Sequence, residues 1–153
     1  MVVDGFAHLM LDDFHDLDEF LPRLLSSLDL SHLPIEGERG LTVHADPDHL
    51  QQILINYLAN AAAYGGPPIW IELRQEPVSG GAPSTVMRVC DRGPGVPASF
   101  VPDLFRSFRR GTASGGGSGL GLAISRQLAH LNGGGTWHEP LDPGAAFAVR
   151  LPA

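Results

Sequence analysis

Gln52, Asn56, Asn60 and Tyr64 recur at every fourth position of one segment, so on a helix their side chains line a single polar strip. Amides at this spacing can share one ligand. An asparagine carbonyl is a hard, neutral oxygen, suited to one position of an octahedral Mg²⁺ whose other ligands are waters and phosphate oxygens. A carboxylate there would repel a polyphosphate. An ordinary solvated helix face would show the same pattern, so the strip alone decides nothing. A second cluster is Asp91-Arg-Gly-Pro-Gly-Val96. It follows a strand-like run whose alternation places Met87, Val89 and Asp91 on one side, with Arg88 and Cys90 on the other. A carboxylate ending an apolar row can accept a hydrogen bond from an exocyclic amine, and Gly93 and Gly95 let backbone pass close to a flat ring. A plain Gly-Pro turn is the simpler alternative.

The third cluster is glycine. Gly111, Gly115, Gly116, Gly117, Gly119 and Gly121 fall within eleven positions and lead into helical periodicity. Backbone N–H groups without Cβ obstruction, feeding a helix start, favour an anion such as phosphate. Arg106, Arg109 and Arg110 lie just before them, and a guanidinium fork matches a terminal phosphate. A flexible linker with solvated arginines is the competing description.

These clusters need elements to position them. Val2, Val3, Phe6, Leu9, Met10 and Phe14 recur at helical spacing, and a second helix is expected over 16–28, with Asp16 and Glu19 at capping-box spacing and Pro22 early. A strand over 41–45 precedes Asp46-Pro47, an N-cap followed by proline at the first helical position. The long helix that follows carries Leu50, Ile53, Leu54, Tyr57, Leu58 and Ala61 on one face and ends at Gly65. Strands over 69–73 and 86–90 form a hairpin, 92–118 is loop-like with an apolar-aromatic patch at 100–108, and 120–131 is helical with Asn132-Gly133 closing it. Strands over 135–139 and 145–151 complete the chain. This order contains no βαβ alternation, so the fold class is α+β, a two-layer sandwich with helices on one sheet face.

Composition excludes several chemistries. Of 153 residues, 17 are acidic and 10 basic, for a net charge of −7, and every basic residue is arginine. Without lysine there is neither a phosphate loop ending in Gly-Lys-Ser/Thr nor Schiff-base chemistry. The acidic balance disfavours nonspecific nucleic-acid binding. Cys90 is the sole cysteine, which excludes an intrachain disulfide and a cysteine-rich zinc site and fits a reducing compartment. No apolar run approaches the roughly 18 residues of a membrane span, and Asp4 stands where a secretory signal carries basic charge. A soluble, cytoplasmic segment is expected.

Asn56-Tyr-Leu-Ala-Asn60-Ala, then Asp91-x-Gly93-x-Gly95, then Phe105-x-x-Phe108, then Gly117-x-Gly119-x-Gly121-Leu together resemble the catalytic ATP-binding domain of bacterial sensor histidine kinases. That family is grouped with DNA gyrase, a heat-shock chaperone ATPase and mismatch-repair ATPases. The resemblance covers about residues 16 to 152. It implies a Bergerat-type α/β sandwich with a mixed sheet, helices on one face and a glycine-rich lid, and it implies ATP and Mg²⁺ as cofactors. It makes Asn60 the metal ligand, with Asn56 supporting metal and phosphates one turn earlier. By the same resemblance Asp91 reads the adenine amine, Gly93 and Gly95 shape the pocket, and Tyr64 lies against base or ribose. Gly117, Gly119, Leu120 and Gly121 belong to the phosphate-binding turn, Phe105 and Phe108 anchor the lid, and Arg110 reaches the γ-phosphate. Ala63 departs from the lysine or histidine often found before the tyrosine, and Arg92 from a common asparagine.

The resemblance further implies transfer of the γ-phosphate to a histidine on a dimerisation domain that this chain lacks, with a response regulator downstream. Gyrase-type relatives carry a water-activating glutamate where this chain has Asn56, so hydrolysis should be slow. His15-Asp16 imitates an acceptor motif, yet Pro22 is seven positions on and 45 residues separate His15 from Asn60, too few for two long helices at about 1.5 Å rise per residue. His8 and His15 are therefore read as ordinary residues. Residues 1–15 are expected to be a remnant of the hairpin and 16–153 the catalytic domain, monomeric when isolated, making no membrane contact itself even if its parent protein is membrane-anchored. The competing functions are a free-standing anti-sigma-type serine kinase and a degenerate nucleotide-binding interaction module.

Overall fold

Asp46 starts the central helix as its sequence position requires. Its carboxylate accepts from the N–H groups of Asp48 (2.8 Å) and His49 (3.2 Å), while Pro47 has no N–H to satisfy. In the computed structural model, which describes residues 13–77, 81–106 and 119–153, the elements are β1 (Phe14–Asp16), α1 (Leu17–Ser27), β2 (Ile35–Gly37), β3 (Thr42–His44), α2 (Pro47–Tyr64), β4 (Ile69–Glu76), β5 (Ser84–Asp91), α3 (Gly119–Leu131), β6 (Gly135–Leu141) and β7 (Gly144–Pro152). A 3-10 turn covers Val101–Asp103. None of the described helices is long and apolar enough to cross a membrane.

Five strands form one sheet in the order β2-β4-β5-β7-β6, antiparallel throughout except for the parallel β2–β4 pair. The fold is thus a mixed-sheet α+β sandwich. Period-2 alternation splits the strands into two faces. Ile71, Leu73, Met87, Val89, Phe147, Val149 and Leu151 pack on buried residues of all three helices, among them Leu21, Leu25, Leu50, Leu54, Tyr57 and Leu122. All six predicted apolar residues of α2 are buried.

The opposite face carries no helix among the described residues and is covered by its own side chains. Arg88 bridges Glu72 and Glu139 at 2.6 Å each. Trp70 and Trp137 donate their indole N–H groups to those same glutamates, at 2.8 and 2.7 Å. Arg92 lies over Trp70 and Arg150 over Trp137, with Ala146 and Ala148 buried beneath.

Two strands depart from the sequence expectation. Phe14 belongs to β1, paired with β3 as Phe14↔His44, and so ends no helical stripe; Val2, Val3, Phe6, Leu9 and Met10 lie outside the described residues. β2 sits in what reads as a loop. Its three residues show no alternation of their own, and it is fixed by pairing, with Ile71 N–H donating to Pro34 O (3.0 Å) and Glu38 N–H to Leu73 O (2.9 Å). The helix over 16–28 forms as α1, but Asp16 caps through the N–H of Asp18 at 2.9 Å, with no bond to Glu19.

α2 and α3 run antiparallel, latched at two levels. At one, Asn132 Oδ1 accepts from Asp46 N–H (3.0 Å) and its Nδ2 donates to His49 Nδ1 (3.0 Å). At the other, Asn56 reaches Gly121 in the first turn of α3. Asn60, one turn further along α2, is therefore level with the chain's entry into α3.

Candidate nucleotide site

Asp91 is the last residue of β5, 2% exposed, between Ile69 of β4 and Ala145 of β7. Its Oδ1 accepts from Gly93 N–H at 2.8 Å, which leaves Oδ2 without a hydrogen bond among the described residues. A carboxylate oxygen in that state, on a residue 2% exposed, suits an amine donor from a ligand. The backbone beneath it explains why glycine stands here. A Cβ on Gly65 would fall on the Asp91 carboxyl group, and a Cβ on Gly93 would meet the Gly65 carbonyl carbon and Gly66 nitrogen at 2.5 Å. Arg92 N–H donates to Gly66 O (3.0 Å) and closes the contact. The end of α2 is thereby pinned against the end of β5, and Tyr64, 44% exposed, stands at the rim.

Gly65 ends the helix as expected and does more. It ends α2, its N–H donating to Ala61 O, but in an extended conformation (φ −92°, ψ −151°) that any residue can adopt. Its lack of a Cβ serves the contact with Asp91. Position in the sequence marks Gly65 only as a helix stop and gives Gly66 no role; the doublet after Tyr64 is the available signal.

The two asparagines of the strip differ. Asn56 Nδ2 donates to Gly121 O (3.0 Å) and Ser125 Oγ (3.1 Å), and its Oδ1 accepts from Gln52 Nε2 (2.8 Å). The Asn60 side chain makes no hydrogen bond among the described residues and is half-buried. Its hard amide oxygen is thus free for a cation such as Mg²⁺, and the donor chemistry fits. Among the described residues no group of three or more His, Cys, Asp and Glu gathers to hold a metal, so a cation here takes most of its ligands from elsewhere.

Phe105 stacks edge-on against Phe147, centroids 6.3 Å apart, and Phe147 in turn meets Tyr57 and His138. This fixes the segment after Asp91 to the core face of the sheet. The Tyr57 hydroxyl donates to Ala148 O at 2.7 Å, and burial pushes its phenol well above the ordinary value. His138 Nε2 is buried without a hydrogen bond, and burial lowers its imidazole, opposed by the Glu139 and Asp91 charges. Gly95 lies against the carbonyl of Gly144. Arg106 is exposed and pairs with Asp103 at 3.5 Å. Phe108, Arg109, Arg110, Gly111, Gly115, Gly116 and Gly117 lie outside the described residues, while Gly119, Leu120 and Gly121 form the first turn of α3.

Other expectations resolve simply. Cys90 is buried on the face opposite Asp91, its thiol pushed up to about 12 by burial and then by the Glu72 charge. Arg92 is exposed, donating to Pro143 O at 3.2 Å. His15 donates through Nε2 to Ala45 O at 3.2 Å, a contact within the fold.

Known proteins follow the same plan. Residues 45–153 match the family of histidine kinase-, DNA gyrase B- and HSP90-like ATPases, and the chain belongs to that family as a catalytic domain of the sensor histidine kinase kind. It is 36% identical over 152 residues to the signal transduction histidine-protein kinase AfsQ2 of Streptomyces coelicolor, covering 97% of this chain and 28% of that protein. It is 36% identical over 151 residues to the probable sensor histidine kinase TcrY of Mycobacterium tuberculosis, covering 95% of this chain and 30% of that one. The chain thus spans under a third of these relatives' length. Among solved structures, the mycobacterial sensor histidine kinase MprB superposes with a TM-score of 0.69 at 29% identity, covering 91% of this chain and 97% of that one. Full-length ShkA in complex with AMPPNP superposes at 0.66 with 27% identity, covering 90% of this chain and 30% of that one.

Proposed function

We propose that this chain binds ATP with Mg²⁺ and presents the γ-phosphate to a histidine on a separate dimerisation domain of the same kinase. The observation that carries the reading is the Asp91 carboxylate, buried at the end of the core-facing row, with Gly93 N–H on one oxygen and the other open among the described residues. An open acceptor in an apolar setting recognises the amino edge of adenine. Asn60 would hold the metal through its amide oxygen, and Tyr64, Gly95, Phe105, Phe108, Gly117, Gly119, Leu120, Gly121 and Arg110 keep the roles stated above. Bound Mg²⁺ would neutralise phosphate charge as it develops. Asn56 stands one turn before Asn60 with both amide N–H groups bonded to α3 and its oxygen accepting from Gln52. It has no basic site with which to activate water, which supports slow hydrolysis and a γ-phosphate kept for another nucleophile. In this reading the catalytic unit includes β1, whose Phe14 and His15 pair with β3, so its boundary lies before residue 14 and not at the expected residue 16. The isolated domain is monomeric and does not phosphorylate itself, and a response regulator receives the phosphoryl group from the complete kinase.

Calorimetric titration with ATP, with and without Mg²⁺, beside Asn60→Ala tests the site. The expected result is binding by the parent chain that Mg²⁺ tightens, with Asn60→Ala losing chiefly the Mg²⁺ increment. No binding at millimolar ATP would leave the interaction-module alternative standing. Phosphate found on a protein serine, with none on histidine, would favour the anti-sigma-type kinase.

A further inference from the structure

Ser125 is the polar residue that the apolar pattern of α3 does not explain. It is fully buried, on the same helix as buried Leu122, Ala123 and Ala129. Its Oγ donates to Gly121 O at 2.9 Å and accepts from Asn56 Nδ2 at 3.1 Å. Asn56 Nδ2 also donates to Gly121 O. A carbonyl oxygen can only accept, so the amide nitrogen of Asn56 must face α3 and its oxygen must face away. That oxygen is in turn held by Gln52. Gln52, Asn56, Ser125 and Gly121 therefore form one chain of bonds from the surface of α2 to the first turn of α3.

From this geometry we propose that Ser125 is a positioning residue. By orienting the Asn56 amide it sets the distance between Asn60 and the start of α3, and so the alignment of metal and phosphates. The proposal rests on the nucleotide reading above. It also sharpens the expected part of Asn56: with both N–H groups turned to α3, its amide is held in one orientation and Asn56 serves the metal through helix placement.

The effect of losing such a bond should concentrate where metal and phosphates must meet. Ser125→Ala should weaken ATP binding in the presence of Mg²⁺ by roughly three- to tenfold, the scale of one net hydrogen bond, and change Mg²⁺-free binding by less than about twofold. Because Ser125 acts through Asn56, Ser125→Ala added to Asn56→Ala should cost nothing further in a double-mutant cycle. Gln52 is exposed, so Gln52→Ala folds on any account and should reproduce a weaker, two- to threefold form of the same Mg²⁺-dependent loss. If Ser125→Ala does not fold, Gln52→Ala decides alone. Equal losses with and without Mg²⁺, additive losses with Asn56→Ala, or an unchanged Gln52→Ala would overturn the positioning role while leaving nucleotide binding intact. Absence of ATP binding in the parent chain would overturn both.

Discussion

The two faces of the sheet are made by the same strands and solve opposite problems. β5 sends Met87, Val89 and Asp91 to the helical side and Arg88 and Cys90 to the other. On the helical side the apolar row is fully packed until its last residue, where a carboxylate keeps one oxygen without a hydrogen bond among the described residues. On the other side the charges and indoles are paired with each other, apart from the buried Nε of Arg88. Glu72, Arg88 and Glu139 form a single ionic bridge and both tryptophans are tied to it. The comparison teaches where ligand chemistry can reside: a polar group left open inside an apolar setting invites a partner, whereas a polar layer closed on itself stabilises the sheet and offers little.

The largest effect that would sharpen this contrast is on the core. Met87→Ala, at a site with no exposure, should lower stability by about 2–5 kcal/mol in urea denaturation. Arg88→Met leaves Glu72 and Glu139 facing each other without their shared cation. With a side chain still 17% exposed, it should cost about 1–2 kcal/mol, part of it recovered in high salt. A loss as large as that of Met87→Ala would mean that the outer layer is a second core.

His138 gives a smaller, pH-dependent effect. Burial holds its folded-state imidazole below the ordinary value, so the unfolded chain binds the proton more readily. Its contribution to stability is intact above pH ~6.5, declines as pH falls below that, and stops changing once pH is below the folded-state value. His138→Phe should flatten the melting profile across that interval. The smallest readout is chemical: with its thiol pushed up to about 12, Cys90 should resist alkylation at pH 8 in the folded protein and react in denaturant. Rapid labelling of the native chain would show that the outer layer opens.

Much of this contrast was legible in the residues. The period-3.6 row from Leu50 to Ala61 and the alternation from Met87 to Asp91 depend on local spacing, so helix, strand and the side to which Asp91 turns could be read directly. β2 could not, because a three-residue edge strand is defined by the neighbour it pairs with. Gly65 was visible as a punctuation mark, but its purpose, space for a carboxylate 26 positions away, is a tertiary fact. The difference between Asn56 and Asn60 is of the same kind. Both sit on one strip, and only the arrival of α3 commits one and leaves the other without a hydrogen bond among the described residues.

The central claim is that nucleotide binding belongs to the helical face alone. Its most direct test is to measure ATP affinity in the presence of Mg²⁺, together with melting temperature, for Asp91→Ala and Arg88→Ala side by side. The account predicts that Asp91→Ala loses binding by about a hundredfold or more while remaining folded, and that Arg88→Ala melts earlier but binds within about threefold of the parent chain. Binding that survives Asp91→Ala and fails in folded Arg88→Ala would contradict it.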